Sequence, residues 1–195
     1  MKQHWPAGTM ISPLPAIIVT ACDSEGRSNL FTASWTGILN SDPPMCYVSI
    51  RPERFSYPMV KETMQFALNL TTPAMAKATD LVGVTSGRKG DKWAASGLTP
   101  CKAKIISCPL VEESPVSLEC RVREIVPLGS HDLFIADIVS VAVDDAYINP
   151  ETGKLDLMKS DLLVYAHGEY FSLGDFIGYF GWSLKKGSDP IVRRD

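Results

Sequence analysis

Three short runs near the start of the chain, PAIIVTA (15–21), LFTASWTGI (30–38) and MCYVSI (45–50), are rich in β-branched and aromatic residues and are separated by turn chemistry. That punctuation constrains the fold more than any other feature, because it cuts the apolar sequence into strand-length pieces. CDSEGRSN (22–29) supplies Asp, Gly and Asn, so the first two runs read as a hairpin, and DPP at 42–44 breaks the chain before the third. Prolines 52 and 58 bracket a loop ahead of a short helical stretch, MVKETMQ (59–65), and FALNL (66–70) returns to strand. PAMAKATDLVGV (73–84) opens on Pro and spaces its apolar residues as a second helix does.

The segment TSGRKGDKWAASGLTP (85–100) is rich in Gly, Ser and charge and reads as a long loop of the functional kind. Beyond it CKAKIIS (101–107), PVSLECRVREIV (115–126) and LFIADIVSVAV (133–143) read as strands. The second of these puts Val116, Leu118, Cys120 and Val122 on one face against Ser117, Glu119, Arg121 and Arg123 on the other; the third is apolar on both faces, as a central strand is. Many strands with two or three short helices predict a mainly β, antiparallel barrel rather than a doubly wound α/β sheet. The 195 residues suit a single domain, 1–195, with neither repeat nor linker.

With 21% charged residues, a net charge of −3 and scattered bases, the chain offers no electrostatic footprint for nucleic acid or an anionic membrane, and a small-molecule partner is expected. No window reaches the roughly 20 apolar residues of a membrane span, and the N-terminus has no secretory apolar core, so a cytoplasmic location is expected. Five cysteines without CxxC spacing support neither a disulfide framework nor a zinc site; His4, His131 and His167 lack ligand spacing, so no metal is expected. The phosphate loops GxGxxG and GxxxxGK[ST] and the hydrolase elbow GxSxG are all missing from the sequence.

Three segments carry chemistry. Thr32, Ser34 and Thr36 form a row of hydroxyls if the run 30–38 is one strand, which fits either a solvent-facing edge or the wall of a polar ligand site. SIRPERFSYP gathers Ser49, Arg51, Arg54 and Ser56 at a strand end, where forked, charge-assisted donors suit a phosphate; surface arginines near prolines give the same pattern. SGRKGDKW sets Arg88, Lys89 and Lys92 around flexible glycines beside Trp93, fitting a phosphorylated aromatic ligand or a solvated loop.

Taken together and in order, the segments 15–70, 83–98, 114–122, 128–141 and 167–174 resemble the flavin reductase-like family of the FMN-binding split barrel, in its flavoredoxin-like branch. The resemblance implies a six-stranded antiparallel split barrel of Greek-key type with a few short helices, forming a homodimer with FMN at or beside the interface. It implies that Thr32, Ala33, Ser34, Trp35 and Thr36 lie along the flavin ring and ribityl chain. Ser49, Ile50, Arg51, Phe55 and Ser56 would grip phosphate and ribityl oxygens, Lys89 and Lys92 would add cations near the phosphate, and His167 would stand as the catalytic residue beside the flavin or nicotinamide. The activity implied is that of an FMN-dependent oxidoreductase taking electrons from NAD(P)H or a ferredoxin-like protein, or of an FMN-bound electron-transfer module without nicotinamide specificity.

Overall fold

The structure is a computed structural model and describes residues 1–184. The last part of the 1–195 domain expected from the sequence, residues 185–195, lies outside the described residues.

In chain order the strands are β1 (Leu14–Pro15), β2 (Ile17–Cys22), β3 (Ser28–Ala33), β4 (Thr36–Ser41), β5 (Pro44–Ile50), β6 (Gln65–Leu70), β7 (Pro100–Cys101), β8 (Leu110–Val111), β9 (Val116–Pro127), β10 (Asp132–Val143), β11 (Val164–Ala166) and β12 (Glu169–Phe171). The helices are α1 (Ser56–Thr63), α2 (Ala76–Val84), α3 (Lys92–Ser96) and α4 (Leu157–Ser160). Seven strands form one sheet in the order β3-β2-β6-β9-β10-β5-β4, every neighbouring pair antiparallel.

The run 30–38 is therefore not one strand. It breaks at Ser34–Trp35, and the halves become the two opposite edges of the sheet. A link this short reaches only about 10 Å, roughly two strand spacings, so the sheet has to curl until its edges face one another. Ser49 N–H donates to the Trp35 carbonyl at 2.9 Å, which carries the β4–β5 pairing one step beyond Thr36–Val48, and no ladder joins β3 to β4 or β5. The outcome is a split barrel with seven strands where six were expected, the extra one arising from the divided run.

Alternation sorts the core. Val19, Phe31, Val48, Phe66, Cys120 and Phe134 point into the barrel, while Ile18 and Leu30, one residue out of phase, pack outward against Met75, Val82, Trp93 and Leu98 of the helical layer. β2 is buried on both faces, so its sequence does not alternate, and its one hydroxyl, Thr20, donates to the Pro109 carbonyl at 2.5 Å. Phe66 and Phe134 are fully buried, and truncating either to Ala costs about 3–5 kcal/mol at such sites. A third cluster holds Cys22 and Cys108 thiol to thiol at 3.1 Å, with Ala67, Ile106 and Leu110 around them.

Helix α1 begins three residues earlier than expected, at Ser56, because Pro58 falls in its first turn, where no intrahelical N–H is required of it. The loop expected over 85–100 contains a 3₁₀ turn at Gly87–Lys89 and then α3, capped by the Asp91 carboxylate accepting from Trp93 N–H at 2.8 Å and ended by Gly97 at φ +71. The expected strand 101–107 survives only at Cys101. The N–H groups of Lys104, Ile105 and Ile106 turn instead to the buried Glu119 carboxylate, at 3.0, 2.6 and 3.0 Å. Burial pushes that carboxyl up, but those three N–H groups and the Ser140 hydroxyl outweigh it and hold it below the usual carboxylate range. A small second sheet, β1-β11-β12, was not foreseen; it brings Tyr165 and Tyr170 over α2, where the Tyr170 hydroxyl donates to Asp80 at 3.3 Å.

Candidate functional site

A groove follows β3 along the seam of the barrel as three cavities that share walls in sequence. The first, about 380 Å³, is lined by Phe31, Thr32, Ala33, Ser34 and Trp35, by Ser49, Ile50 and Arg51 from the end of β5, and by Gly83, His131, Tyr165 and Tyr170. The second, about 400 Å³, shares Phe31, Arg51 and Arg54 with the first and adds Phe55, Ser56, Gly87, Arg88 and Lys92. The third, about 640 Å³, shares Asn29, Phe55, Gly87, Arg88 and Lys92 with the second.

The first cavity is aromatic. Trp35 and His131 lie with ring centroids 4.6 Å apart, and Tyr165 and Tyr170 meet edge to face at 5.7 Å. The Ser34 and Ser49 hydroxyls make no hydrogen bond among the described residues, whereas Thr32 donates to the Thr79 carbonyl and Thr36 to the Tyr47 carbonyl. Two of the three hydroxyls in the expected row are thus spent on the fold, and Thr36 falls outside the groove, since the strand break at Ser34–Trp35 destroys the alternation that placed them together. Burial, then the Arg51 charge, lowers the His131 pKa below the usual histidine range, with Glu53 opposing.

The second cavity is cationic. Arg51, Arg54, Arg88 and Lys92 line it against one carboxylate, Glu53. Helix geometry positions two of these charges. Arg54 donates to the Gly83 carbonyl at 2.7 Å, and Lys92 to the Val82 and Thr85 carbonyls at 2.6 and 3.3 Å, so both sit at the negative C-terminal end of α2. Arg88 donates to the Glu53 carbonyl at 3.0 Å and lies 5.9 Å over the Phe55 ring. The Arg51 guanidinium makes no hydrogen bond or ion pair among the described residues. Burial, then the Arg54 charge, pulls the Lys92 pKa down to about 8. Helix α1 starts at the rim with neither a side-chain cap nor an acidic residue in its first turn; there the Tyr57 N–H is taken by the Arg54 carbonyl at 3.0 Å and Pro58 has no N–H to offer.

These residues fit a phosphorylated aromatic group: a flat-walled cavity with free hydroxyls leads directly into a cluster of cations with few acids to answer them. The flavin reductase like domain family matches residues 10–174. The chain is a flavin reductase-like protein. It is 30% identical over 146 residues to an uncharacterized protein of Archaeoglobus fulgidus, covering 75% of this chain and 81% of that one. It is 27% identical over 124 residues to the FMN reductase (NADH) RutF of Enterobacter cloacae, covering 64% of this chain and 73% of RutF. Among solved structures, the flavoredoxin of Desulfovibrio vulgaris (Miyazaki F) superposes with a TM-score of 0.87 at 30% identity, over 95% of this chain and all of that one. The flavoredoxin of Methanosarcina acetivorans does so at 0.85 and 27%, with the same coverage.

Within this flavin reductase-like fold, Thr32, Ala33, Ser34, Trp35, Ser49, Ile50 and Arg51 gather at the aromatic end, and Phe55, Ser56 and Lys92 at the cationic end. Lys89 does not line any of the three cavities, whereas the neighbouring Arg88 lines two of them. His167 stands at φ +48 on the exposed tip of the β11–β12 hairpin, apart from the cavity walls. The imidazole that lines the groove is His131. The sequence did carry a signal for it: a polar turn between two long strands, in register with the β5 end that presents Arg51, as the pairing of Asp132 with Ile50 fixes. No helix among the described residues is long and apolar enough to cross a membrane, and no cluster of three or more His, Cys, Asp or Glu among them is placed to hold a metal ion.

Proposed function

We propose that this chain is a single-domain FMN-dependent oxidoreductase that takes electrons from NAD(P)H or a redox protein and passes them to a flavin, ferric or protein acceptor. The observation that carries the reading is the junction of the aromatic cavity with four cations, one of which, Arg51, has no partner of its own among the described residues. Bound FMN supplies hydride and one-electron chemistry. The chain's residues bind and orient it: Arg51, Arg54, Arg88 and Lys92 neutralise the phosphate, with Ser56 and Phe55 beside them. Ser34 and Ser49 offer hydroxyls to the ribityl chain and ring edge, and Ala33 and Ile50 offer apolar surface. Trp35, His131, Tyr165 and Tyr170 wall the ring end, and Gly83 lets α2 approach β3 closely, since a Cβ there would stand 3.1 Å from Thr32 Cβ. In this reading His131, not His167, is the imidazole that faces the reacting end.

The likeness to two flavoredoxins supports a second reading, an electron-transfer module that receives electrons from a ferredoxin-like protein without recognising nicotinamide. A homodimer in the cytoplasm is part of the proposal; exposed Trp35, Ile38 and Leu39 along the unpaired edge of β4 support the pairing of two copies. The deciding experiment is reconstitution with FMN and riboflavin, followed by stopped-flow mixing with NADH, NADPH and reduced ferredoxin. A flavin spectrum with preference for FMN supports the site, and no bound flavin after reconstitution overturns it. Reduction by ferredoxin alone selects the second reading.

A further inference from the structure

Away from the groove, the outer face of β2 is covered by the chain from Cys101 to Val111, and a pair of thiols lies beneath that cover. Cys22 closes β2 on this face, in phase with Ile18 and Thr20. Two hydrogen bonds tie the crossing chain down: the Thr20 hydroxyl to the Pro109 carbonyl, and the Ser107 N–H to Gln65 Oε1 at 2.8 Å. Cys108, between those two anchors, therefore faces Cys22 with the sulfurs 3.1 Å apart, although 86 residues separate them in sequence, an interval that no spacing rule detects. The Thr20 bond holds the two main chains one side-chain length apart, which is the span of about 4.4–6.8 Å between Cα atoms that a disulfide requires.

A second pair supplies the contrast. Cys46 and Cys120 lie 3.5 Å apart inside the barrel, but their strands are not neighbours: β10 runs between β5 and β9. Two strand spacings are roughly 9 Å, which a disulfide cannot bridge without backbone movement.

The cover over Cys22 and Cys108 is thin. Lys102, Lys104, Ile105 and Ser107 are exposed, and no helix or strand lies between β7 and β8; the Glu119 carboxylate holds three N–H groups of the stretch instead. Burial raises the pKa of both thiols, and the Cys108 S–H directed at Cys22 partly offsets this for Cys22 alone. Cys22 is thus the attacking sulfur and Cys108 the resolving one.

We propose that Cys22 and Cys108 form an oxidation site, at which hydrogen peroxide, admitted when residues 102–109 lift, converts the pair to a disulfide that staples this stretch to β2. The Cys22 thiolate attacks one peroxide oxygen, the O–O bond breaks, and the departing hydroxide takes up the Cys22 proton as water. The Cys108 sulfur then displaces the hydroxyl of the Cys22 sulfenic acid, and the S–S bond forms as a second water leaves. The two thiols lose two electrons and two protons, and the peroxide gains both. A bridge closing a loop of 86 residues constrains the unfolded chain far more than the folded one.

The test treats the dithiothreitol-reduced full chain with hydrogen peroxide, stops the reaction with catalase, blocks the remaining thiols under denaturing conditions and maps the peptides by mass spectrometry. Two of the five thiols are expected to resist blocking, as one Cys22–Cys108 linkage that dithiothreitol reverses, and the thermal midpoint to rise by about 5–15 °C. Cys22→Ala and Cys108→Ala, each compared oxidised against reduced so that the cost of the substitution cancels, should lose that rise, and Cys46→Ala should keep it. Linkage through Cys46, Cys101 or Cys120 instead, or sulfinic acids at Cys22 and Cys108 without a bridge, overturns the proposal. A bridge that leaves the midpoint unchanged overturns the stapling. Survival of all five thiols, both in buffer and in urea below the unfolding transition where the cover opens more often, reduces the contact to a hydrogen bond between inert thiols and also overturns the proposal.

Discussion

Lys92 is expected to make the proposed FMN site pH-dependent, in a direction opposite to the protein's own stability. Its ammonium is buried at the C-terminal end of α2 beside Arg54, and its pKa falls from 10.5 to about 8. A phosphate dianion, whose second ionisation lies near pH 6, favours the charged form of that ammonium. At a pKa of about 8 the group is roughly 90% protonated at pH 7 and roughly 10% at pH 9, so FMN affinity is expected to fall about tenfold across that interval. Riboflavin, which has no phosphate, is expected to show no matching loss. The apoprotein behaves the other way. A lysine whose folded pKa is depressed carries a cost while charged; that cost is present below pH 8 and is relieved as pH rises from about 8 toward 10.5. The relief amounts to about 3 kcal/mol, the 10.5-to-8 shift at 1.36 kcal/mol per unit. Flavin fluorescence titrations at constant ionic strength measure the first slope, and urea melts of wild type against Lys92→Met isolate the second. Lys92→Met keeps the length of the side chain and removes the charge, so it should flatten both slopes. Equal pH slopes for FMN and riboflavin, or a Lys92→Met protein that keeps the wild-type slope, would refute the placement of the ammonium against the phosphate.

Arg51→Ala removes a guanidinium with no other partner among the described residues, so stability should hold while FMN affinity drops by about 1.5–3 kcal/mol, with riboflavin affinity nearly unchanged. Calorimetric titration of both flavins checks this, and equal losses would remove Arg51 from the phosphate role. His131→Ala is expected to slow flavin reduction in stopped-flow traces more than it weakens flavin retention, whereas His167→Ala, at an exposed hairpin tip, leaves the rate unchanged. A slowed His167→Ala protein with a normal His131→Ala one would reverse the assignment. Glu119→Gln exchanges an acceptor-only carboxylate for a group that presents a donor toward three backbone N–H groups, and should cost about 3 kcal/mol in denaturant melts with faster hydrogen exchange across residues 104–106. The wild-type carboxylate contributes above its ordinary pKa, so this part of the stability is lost as the solution is acidified through the depressed folded value. A near-neutral effect would mean that water serves those N–H groups equally well.

The barrel was legible because its core strands obey period-two burial or are largely apolar on both faces, and the turns between them use Asp, Gly, Asn and Pro. What escaped was local competition for backbone groups. CKAKIIS has strand composition, yet a carboxylate fifteen residues further on captures its N–H groups, and no pattern in the segment itself announces that. The helix hidden in 85–100 did leave marks, Asp91 as cap and Gly97 as stop, but five residues between them are too few to show periodicity. The site followed the same rule. Arg51 and the aromatic strand end were readable as a ligand rim, whereas choosing between Arg88 and Lys89, or between His131 and His167, depends on which way a turn directs a side chain. Lys92 was named from the sequence as a cation near the phosphate, but its burial was not legible, because Lys is seldom buried; the carbonyls at the end of α2 supply the partners that make that burial tolerable.

The two-residue link at Ser34–Trp35 closes the barrel without stitching it, so the walls of the groove belong to sheet edges that no ladder connects. Along each wall the spacing of groups is fixed by strand hydrogen bonds; across the groove it is held by the link, the Asn29–Ser56 side-chain hydrogen bond, the shared barrel core and the packing of α2. The width of the groove is therefore its softest dimension. A ligand touching both walls takes the place of the missing rung, and the free energy of holding it is shared with the free energy of keeping the seam shut. Emptying the groove and loosening the barrel are, in this architecture, two descriptions of one event.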